Sequence, residues 1–220
     1  MLENVLGHTP MVKIKYRFRG QENVIFAKLE SFNLTGSIKD RVAYYMIKEG
    51  KKNGSLKENQ PIVEATSGNT GISLAALGAL FHHKVHIFMP IWASEERKKI
   101  MKSYGATLTL VTKEEGGFQA CLEKASKFAQ ENHAFYPDQF SSKANFLAHY
   151  ETTGPEIFSQ VEQEIGGFVS GVGTGGTLMG VGKYLKEKNS DFKVAAIEPA
   201  TMPLLSKKEI LGPHQIEGIG

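Results

Sequence analysis

The chain has 220 residues, of which 41% are hydrophobic and 22% charged, a composition typical of a soluble protein with a buried core. Its formal net charge is only +3 and the charges are scattered, so the sequence offers no basic stripe for nucleic acid. No window is apolar for long enough to cross a bilayer, and the first residues lack a signal-peptide pattern. We therefore expect a cytoplasmic protein.

Short apolar runs and helical patterns alternate along the whole chain. Runs rich in β-branched residues predict strands at 24–30, 61–65, 85–90, 107–111, 167–172 and 193–199. Apolar residues at helical spacing predict helices between them, at 39–52, 71–81, 94–105, 117–132 and 177–188. This alternation predicts an α/β fold with open, mostly parallel sheets flanked by helices, whose ligands gather at the carboxyl ends of the strands.

The first informative turn is FNLTGSIKDR, which leads into the helix predicted at 39–52. Lys39 falls in the first turn of this helix, where the helix dipole favours an acid. A lysine near a helix start is usually a surface residue. If it is removed from water there, its ammonium form is disfavoured, which leaves an amine able to form a Schiff base or to act as a base.

The second turn follows the strand PIVEA and has the sequence TSGNTG. It combines a helix start with several side chains that can donate hydrogen bonds and contains no basic residue, so it suits a substrate carboxylate better than a pyrophosphate. The alternative is a polar strand-to-helix turn with ordinary N-caps.

The third turn is GVGTGGT, between the strand at 167–172 and the helix at 177–188. Its glycines allow the backbone to approach a phosphate, and Thr174 and Thr177 add hydroxyl donors. The spacing of Gly171, Gly173 and Gly176 also fits a dinucleotide fingerprint, with Glu198 placed to bind a ribose. This turn alone therefore indicates NAD as well as any other phosphate.

Taken together, the three turns provide a phosphate site, a carboxylate site and a lysine suited to losing its proton. These are the requirements for binding an amino acid to pyridoxal phosphate. NAD chemistry would leave the first turn, with Lys39, and the second turn, TSGNTG, without a function.

The sequence resembles the cysteine synthases, or O-acetylserine sulfhydrylases, which have the tryptophan-synthase-β-like fold of pyridoxal-phosphate enzymes. The resemblance runs over nearly the whole chain, and its motifs occur in the family's order: LGHTPM, GSIKDR, EATSGNTGISLA, MPIWASEERKKIMKSYGA, QF, TTGPEI, GVGTGGT and EGIG. It implies two open, mostly parallel sheets. It also implies a larger cofactor-phosphate domain at 1–36 plus 143–220 and a smaller, mobile substrate-carboxylate domain at 37–142.

The resemblance also implies roles for individual residues. Lys39 corresponds to the lysine that binds the cofactor and transfers the α-proton, and Asn69 to the residue that hydrogen-bonds the 3′-oxygen of the cofactor. The cofactor phosphate is expected at Gly173, Thr174, Gly175, Gly176 and Thr177. The substrate is expected at Thr66, Ser67, Gly68, Thr70, Gln139, Gly218 and Gly220. No metal site is implied.

The implied reaction is a β-replacement in which O-acetyl-L-serine and sulfide form L-cysteine through an aminoacrylate, and the implied assembly is a homodimer. Within the family, the alternatives are cystathionine β-synthase activity, serine or threonine deamination, and a hydrogen-sulfide-releasing cysteine desulfhydrase or lanthionine-forming activity. Outside it, the alternatives are an NAD-binding Rossmann protein and a catalytically silent binding module.

Four positions depart from the family's usual pattern, namely His8, Leu34, Ala65 and Ala93. Leu34 and Ala65 lie beside the lysine and carboxylate loops, so these two departures weaken any inference about the preferred substrate. The chain ends within EGIG, where the family continues through further strands, so we expect part of a longer protein with apolar sheet edges exposed. Cys121 is interpreted as a packing thiol. His82, His83 and His86 are interpreted as chance neighbours rather than metal ligands.

Overall fold

The computed structural model of the protein describes residues 5–162 and 165–219. The chain divides into two compact units. We call Ser31–Ala144 the central unit, and Met1–Glu30 together with Asn145–Gly220 the terminal unit. Among the described residues, no helix is long and apolar enough to cross a membrane.

Seven strands and seven α-helices are found within the described ranges. The strands are β1 (Met11–Phe18), β2 (Gln21–Lys28), β3 (Ile62–Ala65), β4 (Val85–Pro90), β5 (Thr107–Val111), β6 (Gly167–Gly171) and β7 (Lys193–Ile197). The helices are α1 (Lys39–Lys52), α2 (Asn69–Leu80), α3 (Glu95–Ser103), α4 (Gly117–Glu131), α5 (Lys143–Ala148), α6 (Gly154–Gln160) and α7 (Gly176–Lys188). A π-helical turn, His149–Thr153, joins α5 to α6. The predicted alternation of strand and helix is confirmed.

The central unit is built on a three-stranded parallel sheet in the order β3-β4-β5. A single parallel bridge between Ile62 and Phe135 extends the sheet on the free side of β3. Every residue of β3 is buried, as expected for a parallel strand that is covered on both faces. Helix α2 is also apolar on all sides, and nine of its residues are buried.

Helix α4 covers the sheet of the central unit through an apolar core. The buried residues of this core, from the strands and from α4, are Val63, Ala65, Phe88, Val111, Ala120, Cys121 and Ala125. Full burial of a large apolar side chain stabilises a fold by about 1.5–3 kcal/mol. This apolar layer therefore holds the strands in place, and with them the loops that follow the strands. Cys121 lies inside the layer, as the sequence predicts for a packing thiol.

The terminal unit contains two separate two-stranded sheets. Strands β1 and β2 form an antiparallel hairpin, and β6 and β7 pair in parallel. Strand β1 was not predicted, because its apolar residues alternate with Lys13, Lys15 and Arg17 instead of forming an apolar run. Large apolar side chains of both sheets are exposed, including Phe18, Val169 and Ile197.

The terminal unit also brings the motifs LGHTPM and TTGPEI together. The Glu156 carboxylate accepts the backbone N–H of His8 at 3.0 Å and lies 2.7 Å from the Lys28 ammonium. The side-chain amide of Gln160 donates to the carbonyl of Thr9 at 2.9 Å. These contacts attach the N-terminal segment to α6, and they account for two motifs that carry no chemistry of their own.

Candidate active site

Lys39 begins α1, and the residue after it organises the turn that precedes the helix. Asp40 is fully buried. Its carboxylate accepts the backbone N–H of Thr35 at 2.6 Å and the Thr35 hydroxyl. An acid in the first helical turn also suits the helix dipole. Asp40 therefore closes the turn around Gly36 and fixes the position from which Lys39 projects.

The Lys39 side chain is partly buried, and burial lowers the pKa of its ammonium group. Within the described ranges, no hydrogen bond or ion pair of its Nζ offsets this effect. Desolvation disfavours the charged form, so the neutral amine is more populated than at an exposed lysine. A neutral amine is the form that attacks an aldehyde or accepts a proton.

The TSGNTG turn connects β3 to α2. Thr66 and Thr70 are buried, whereas Ser67 and Asn69 are exposed. The Thr66 hydroxyl accepts the backbone N–H of Gly68 at 3.1 Å, so it shapes the turn from within. Gly71 and Ile72 donate their N–H groups to the Gly68 carbonyl at 2.9 and 3.3 Å. The N–H groups of Asn69 and Thr70, which precede them at the start of α2, are oriented to bind an anion.

Gly68 packs against the end of a flexible arginine side chain. A Cβ at this position would lie 3.0 Å from the guanidinium carbon of Arg97, which projects from α3. A cation beside the positive end of α2 adds to the positive potential at this turn. The sequence motif did not identify Arg97 as a neighbour of the TSGNTG turn, because Arg97 lies on a different helix.

Gln139 is buried in the same unit and contacts the turn through its side chain. Its Oε1 accepts the Thr70 hydroxyl at 2.6 Å, and its Nε2 donates to the Ala65 carbonyl at 3.3 Å. A carbonyl can only accept, so this contact fixes the orientation of the amide. The single proton of Thr70 is therefore directed to Gln139, and in this arrangement Thr70 has no proton to donate to a carboxylate.

Glu64 is a buried acid directly before the turn that the sequence reasoning did not single out. Its Oε1 accepts the N–H of Ala65 at 2.9 Å, and its Oε2 accepts the N–H of Gln139 at 3.2 Å. Burial raises the pKa of Glu64 to about 8, against the lowering effect of these two hydrogen bonds, and the charge of Asp138 raises it further. No local sequence signal distinguishes this glutamate from an ordinary strand residue.

The GVGTGGT turn lies in the terminal unit, between β6 and α7. Gly175 has φ +82°, which glycine adopts without strain. A Cβ on Gly173 would lie 2.4 Å from the carbonyl oxygen of Gly218. The turn is therefore compact, as the phosphate interpretation requires, and it places Gly173 next to Gly218. Gly220 lies outside the described residues.

Two buried residues missed by the sequence reasoning support the hydroxyls of this turn. The side-chain amide of Asn145 donates to Thr174 Oγ1 at 2.8 Å. His149 Nε2 lies 3.2 Å from Thr177 Oγ1, and its Nδ1 lies 3.0 Å from Thr153 Oγ1. His149 begins the π-helical turn, a type of distortion that often occurs at functional sites.

The remaining candidates have structural partners. His83 Nδ1 lies 2.9 Å from the Gln60 carbonyl, and His86 Nε2 lies 2.8 Å from Thr109 Oγ1. No group of three potential metal ligands occurs in the described part of the chain. The Glu198 carboxylate accepts the N–H groups of Leu205 and Ser206 at 2.6 and 3.1 Å, so it orders its own loop.

Residues 2–219 match the family model described as pyridoxal-phosphate dependent enzyme. The chain is 41% identical over 220 residues to a cysteine synthase of Staphylococcus aureus, and the match covers 100% of this chain and 70% of that protein. It is 40% identical over 198 residues to cysteine synthase B of Escherichia coli, covering 90% of this chain and 65% of that one. The chain belongs to the cysteine synthase family of pyridoxal-phosphate dependent enzymes.

The fold of this cysteine synthase family member matches solved structures over its whole length. A hydrogen sulfide-producing enzyme from Fusobacterium nucleatum is 48% identical, with a TM-score of 0.96, and the match covers 100% of this chain and 67% of that one. A cysteine synthase from Entamoeba histolytica is 38% identical, with a TM-score of 0.89, covering 100% and 66%. The chain therefore spans about two thirds of the length of these proteins.

The cofactor of this family is pyridoxal phosphate. The described residues fit its phosphate group and its aldehyde. The turn at 173–177 has the compact backbone and the hydroxyls that a phosphate group requires. Lys39 has an amine with a lowered pKa, as an aldehyde partner requires. The family assignment removes the reason to invoke NAD, and Glu198 is already engaged by its own loop.

Proposed function

We propose that the protein catalyses a β-replacement that forms L-cysteine from O-acetyl-L-serine and sulfide. The observation that carries the proposal is the partly buried, low-pKa amine of Lys39 at the start of α1, in a chain that belongs to this family. Pyridoxal phosphate, when bound, supplies an electron sink that makes the α-proton of the amino acid acidic. The chain's own residues bind, orient and move the proton.

The proposed roles follow from the contacts in each unit. Lys39 Nζ binds the cofactor aldehyde and, once released from it, accepts the α-proton and later returns a proton. The N–H groups at the start of α2, with Ser67 and Gly68, bind the substrate carboxylate, and Thr66, Thr70 and Gln139 hold the turn in shape. Asn69 is proposed to bind the 3′-oxygen of the cofactor.

In the terminal unit, we propose that Gly173, Thr174, Gly175, Gly176 and Thr177 bind the cofactor phosphate. Asn145 and His149 then act as supports for the two threonine hydroxyls. A histidine whose Nε2–H donates to Thr177 leaves the hydroxyl proton of Thr177 available for the phosphate. Gly218 is proposed to face the substrate, since it lies beside this turn.

The test is the Lys39→Ala variant compared with Lys57→Ala, which changes an exposed lysine. Each protein is loaded with pyridoxal phosphate, reduced with borohydride and digested, and the modified peptide is identified by mass spectrometry. We expect the label on residue 39 in the wild type and in Lys57→Ala. Cysteine formation should fall at least a thousandfold in Lys39→Ala, and unchanged turnover in that variant would refute the proposal.

A second candidate function is release of hydrogen sulfide from cysteine. It is supported by the 48% identity to two solved structures of a hydrogen sulfide-producing enzyme from Fusobacterium nucleatum, one of them a mutant in complex with an α-aminoacrylate intermediate. Both reactions need the same lysine and differ in the group that leaves the β-carbon. Comparing cysteine formed from O-acetyl-L-serine plus sulfide with sulfide released from L-cysteine decides between them.

We also propose that the protein is a cytoplasmic homodimer, as the family resemblance implies. The exposed apolar side chains of β1, among them Ile14 and Phe18, are compatible with a subunit contact. Light scattering coupled to size-exclusion chromatography measures the assembly directly. A monomeric mass at micromolar concentration would refute the dimer.

A further inference from the structure

The free side of β3 changes its hydrogen-bond partner just before the carboxylate turn. Val63 donates its N–H to the Phe135 carbonyl at 2.9 Å, and Phe135 donates to the Pro61 carbonyl at 2.8 Å. Two residues further along β3, the backbone groups of Ala65 form hydrogen bonds with side chains instead of with a neighbouring backbone. Its N–H donates to Glu64 Oε1 and its carbonyl accepts from Gln139 Nε2.

On the free side of β3, the side chains of Glu64 and Gln139 therefore provide for Ala65 the hydrogen bonds that the backbone at Phe135 provides for Val63. They are also joined to each other, because Glu64 Oε2 accepts the Gln139 N–H at 3.2 Å. Both side chains are buried, so each of these contacts is made without competition from water. An unpaired N–H or carbonyl in such a place is destabilising, so these hydrogen bonds are favoured over an arrangement that leaves either group unpaired.

The position of Gln139 determines the geometry of the carboxylate turn. Gln139 Oε1 accepts the Thr70 hydroxyl at 2.6 Å, and Thr70 lies in the first turn of α2. A displacement of the Gln139 backbone would move this acceptor relative to Thr70 and to the N–H groups beside it. Glu64 is the described residue whose side chain holds that backbone N–H.

We propose that Glu64 is a positioning residue for the substrate-carboxylate site, acting through Gln139. This inference rests on the proposed function, since it assumes that the turn at 66–70 binds the carboxylate of an amino acid. Glu64 does not itself contact the substrate. Its carboxyl fixes the backbone at residue 139, and Gln139 in turn fixes Thr70.

The test uses two variants of Glu64 with different defects. Glu64→Gln keeps the size but replaces one accepting oxygen with an amide that cannot accept an N–H. Glu64→Asp keeps the acid but shortens its reach, so that it can no longer bridge to Gln139. Glu123→Gln, which makes the same substitution at an exposed position on α4, is the control.

We expect both Glu64 variants to raise the KM for O-acetyl-L-serine about tenfold, with kcat and cofactor absorbance within twofold of the wild type. Glu123→Gln should change none of these. The decisive comparison adds Gln139→Ala. If Glu64 acts through Gln139, then Glu64→Gln raises KM no further in the Gln139→Ala background. Independent, multiplicative effects would overturn the proposal.

Hydrogen–deuterium exchange provides a readout that does not depend on turnover. The peptide covering residues 136–141 should exchange at least tenfold faster in Glu64→Asp than in the wild type, because the shorter carboxyl no longer reaches the Gln139 N–H. Unchanged exchange there would overturn the positioning role even if the enzyme were inactive for another reason. Conversely, faster exchange in the Glu64 variant, together with a wild type that does not react with O-acetyl-L-serine, would support the Glu64 contact and reject the proposed function.

Discussion

Gln139 accepts a hydrogen bond from the Thr70 hydroxyl at 2.6 Å, although 69 residues separate the two in the chain. Both residues are buried, and the amide nitrogen of Gln139 is already committed to the Ala65 carbonyl. The hydroxyl of Thr70 therefore helps to hold the TSGNTG turn in its conformation. Its removal has consequences for stability as well as for binding.

We predict that Thr70→Val lowers the free energy of unfolding by about 1–3 kcal/mol, because the buried Gln139 Oε1 loses the Thr70 hydroxyl as a donor. The control is Thr107→Val, which changes an exposed threonine of β5. Urea denaturation followed by circular dichroism measures both. Equal stability of the two variants would show that the hydroxyl contributes nothing to the turn.

The contact between Thr70 and Gln139 illustrates what the sequence could and could not predict. The strand β4 and the helix α1 were predicted with the bounds that the structure has, because their apolar periodicity is local. The motif TSGNTG identified the turn for the same reason. The pairing of Gln139 with Thr70, and of Glu64 with Gln139, depends on where the chain returns after α4, which no local pattern specifies.

The helical segment at 143–160 was missed for a related reason. It contains a π-helical turn, which shifts the apolar periodicity, and Pro155 lies inside it at the start of α6. Asn145 and His149, whose side chains contact the hydroxyls of Thr174 and Thr177, come from this segment. Their function could not be predicted because it depends on a close packing of α7, where a Cβ on Gly180 would lie 2.7 Å from that of His149.

The packing of His149 leads to a prediction for cofactor binding. His149→Leu removes the partner of Thr177 Oγ1 and should weaken the affinity for pyridoxal phosphate about tenfold, because the hydroxyl loses its orientation. His86→Leu is a matched control, since His86 also contacts a threonine hydroxyl but lies in the central unit. It should leave the cofactor affinity unchanged. Equilibrium titration followed by absorbance provides both dissociation constants, and equal losses would contradict the assignment.

The compact turn at Gly173 leads to a prediction for glycine replacement. In Gly173→Ala the new methyl group would lie 2.4 Å from the Gly218 carbonyl, so one of the two backbone segments must move. We expect the affinity for pyridoxal phosphate to fall at least tenfold. Gly166→Ala adds the same methyl group where no atom lies within 4 Å, and it should bind the cofactor normally. Normal cofactor binding by Gly173→Ala would mean that the phosphate binds elsewhere.

The buried carboxyl of Glu64 predicts how stability depends on pH. Burial raises the pKa of Glu64 from 4.5 to about 8, so the folded protein holds this proton more tightly than the unfolded chain does. A group with a raised pKa stabilises the fold fully below the unfolded value, and this contribution is lost as pH rises through the folded value. Two nearby groups share this environment, Asp138 and Tyr136, and burial together with the Glu64 and Asp138 charges raises the pKa of Tyr136.

We therefore expect the wild type to lose stability relative to Glu64→Gln as pH rises from about 4.5 to 8, by a few kcal/mol in all. The glutamine cannot ionise, so the difference between the two proteins isolates Glu64 from the other acids. Urea denaturation of both proteins at pH 5, 6.5 and 8, values within about the range of the titration, measures it. A difference that stays constant over this range would show that Glu64 titrates as an ordinary acid. In that case its carboxyl would be ionised at neutral pH, and the two N–H groups of Ala65 and Gln139 would be compensating a buried charge rather than a neutral group.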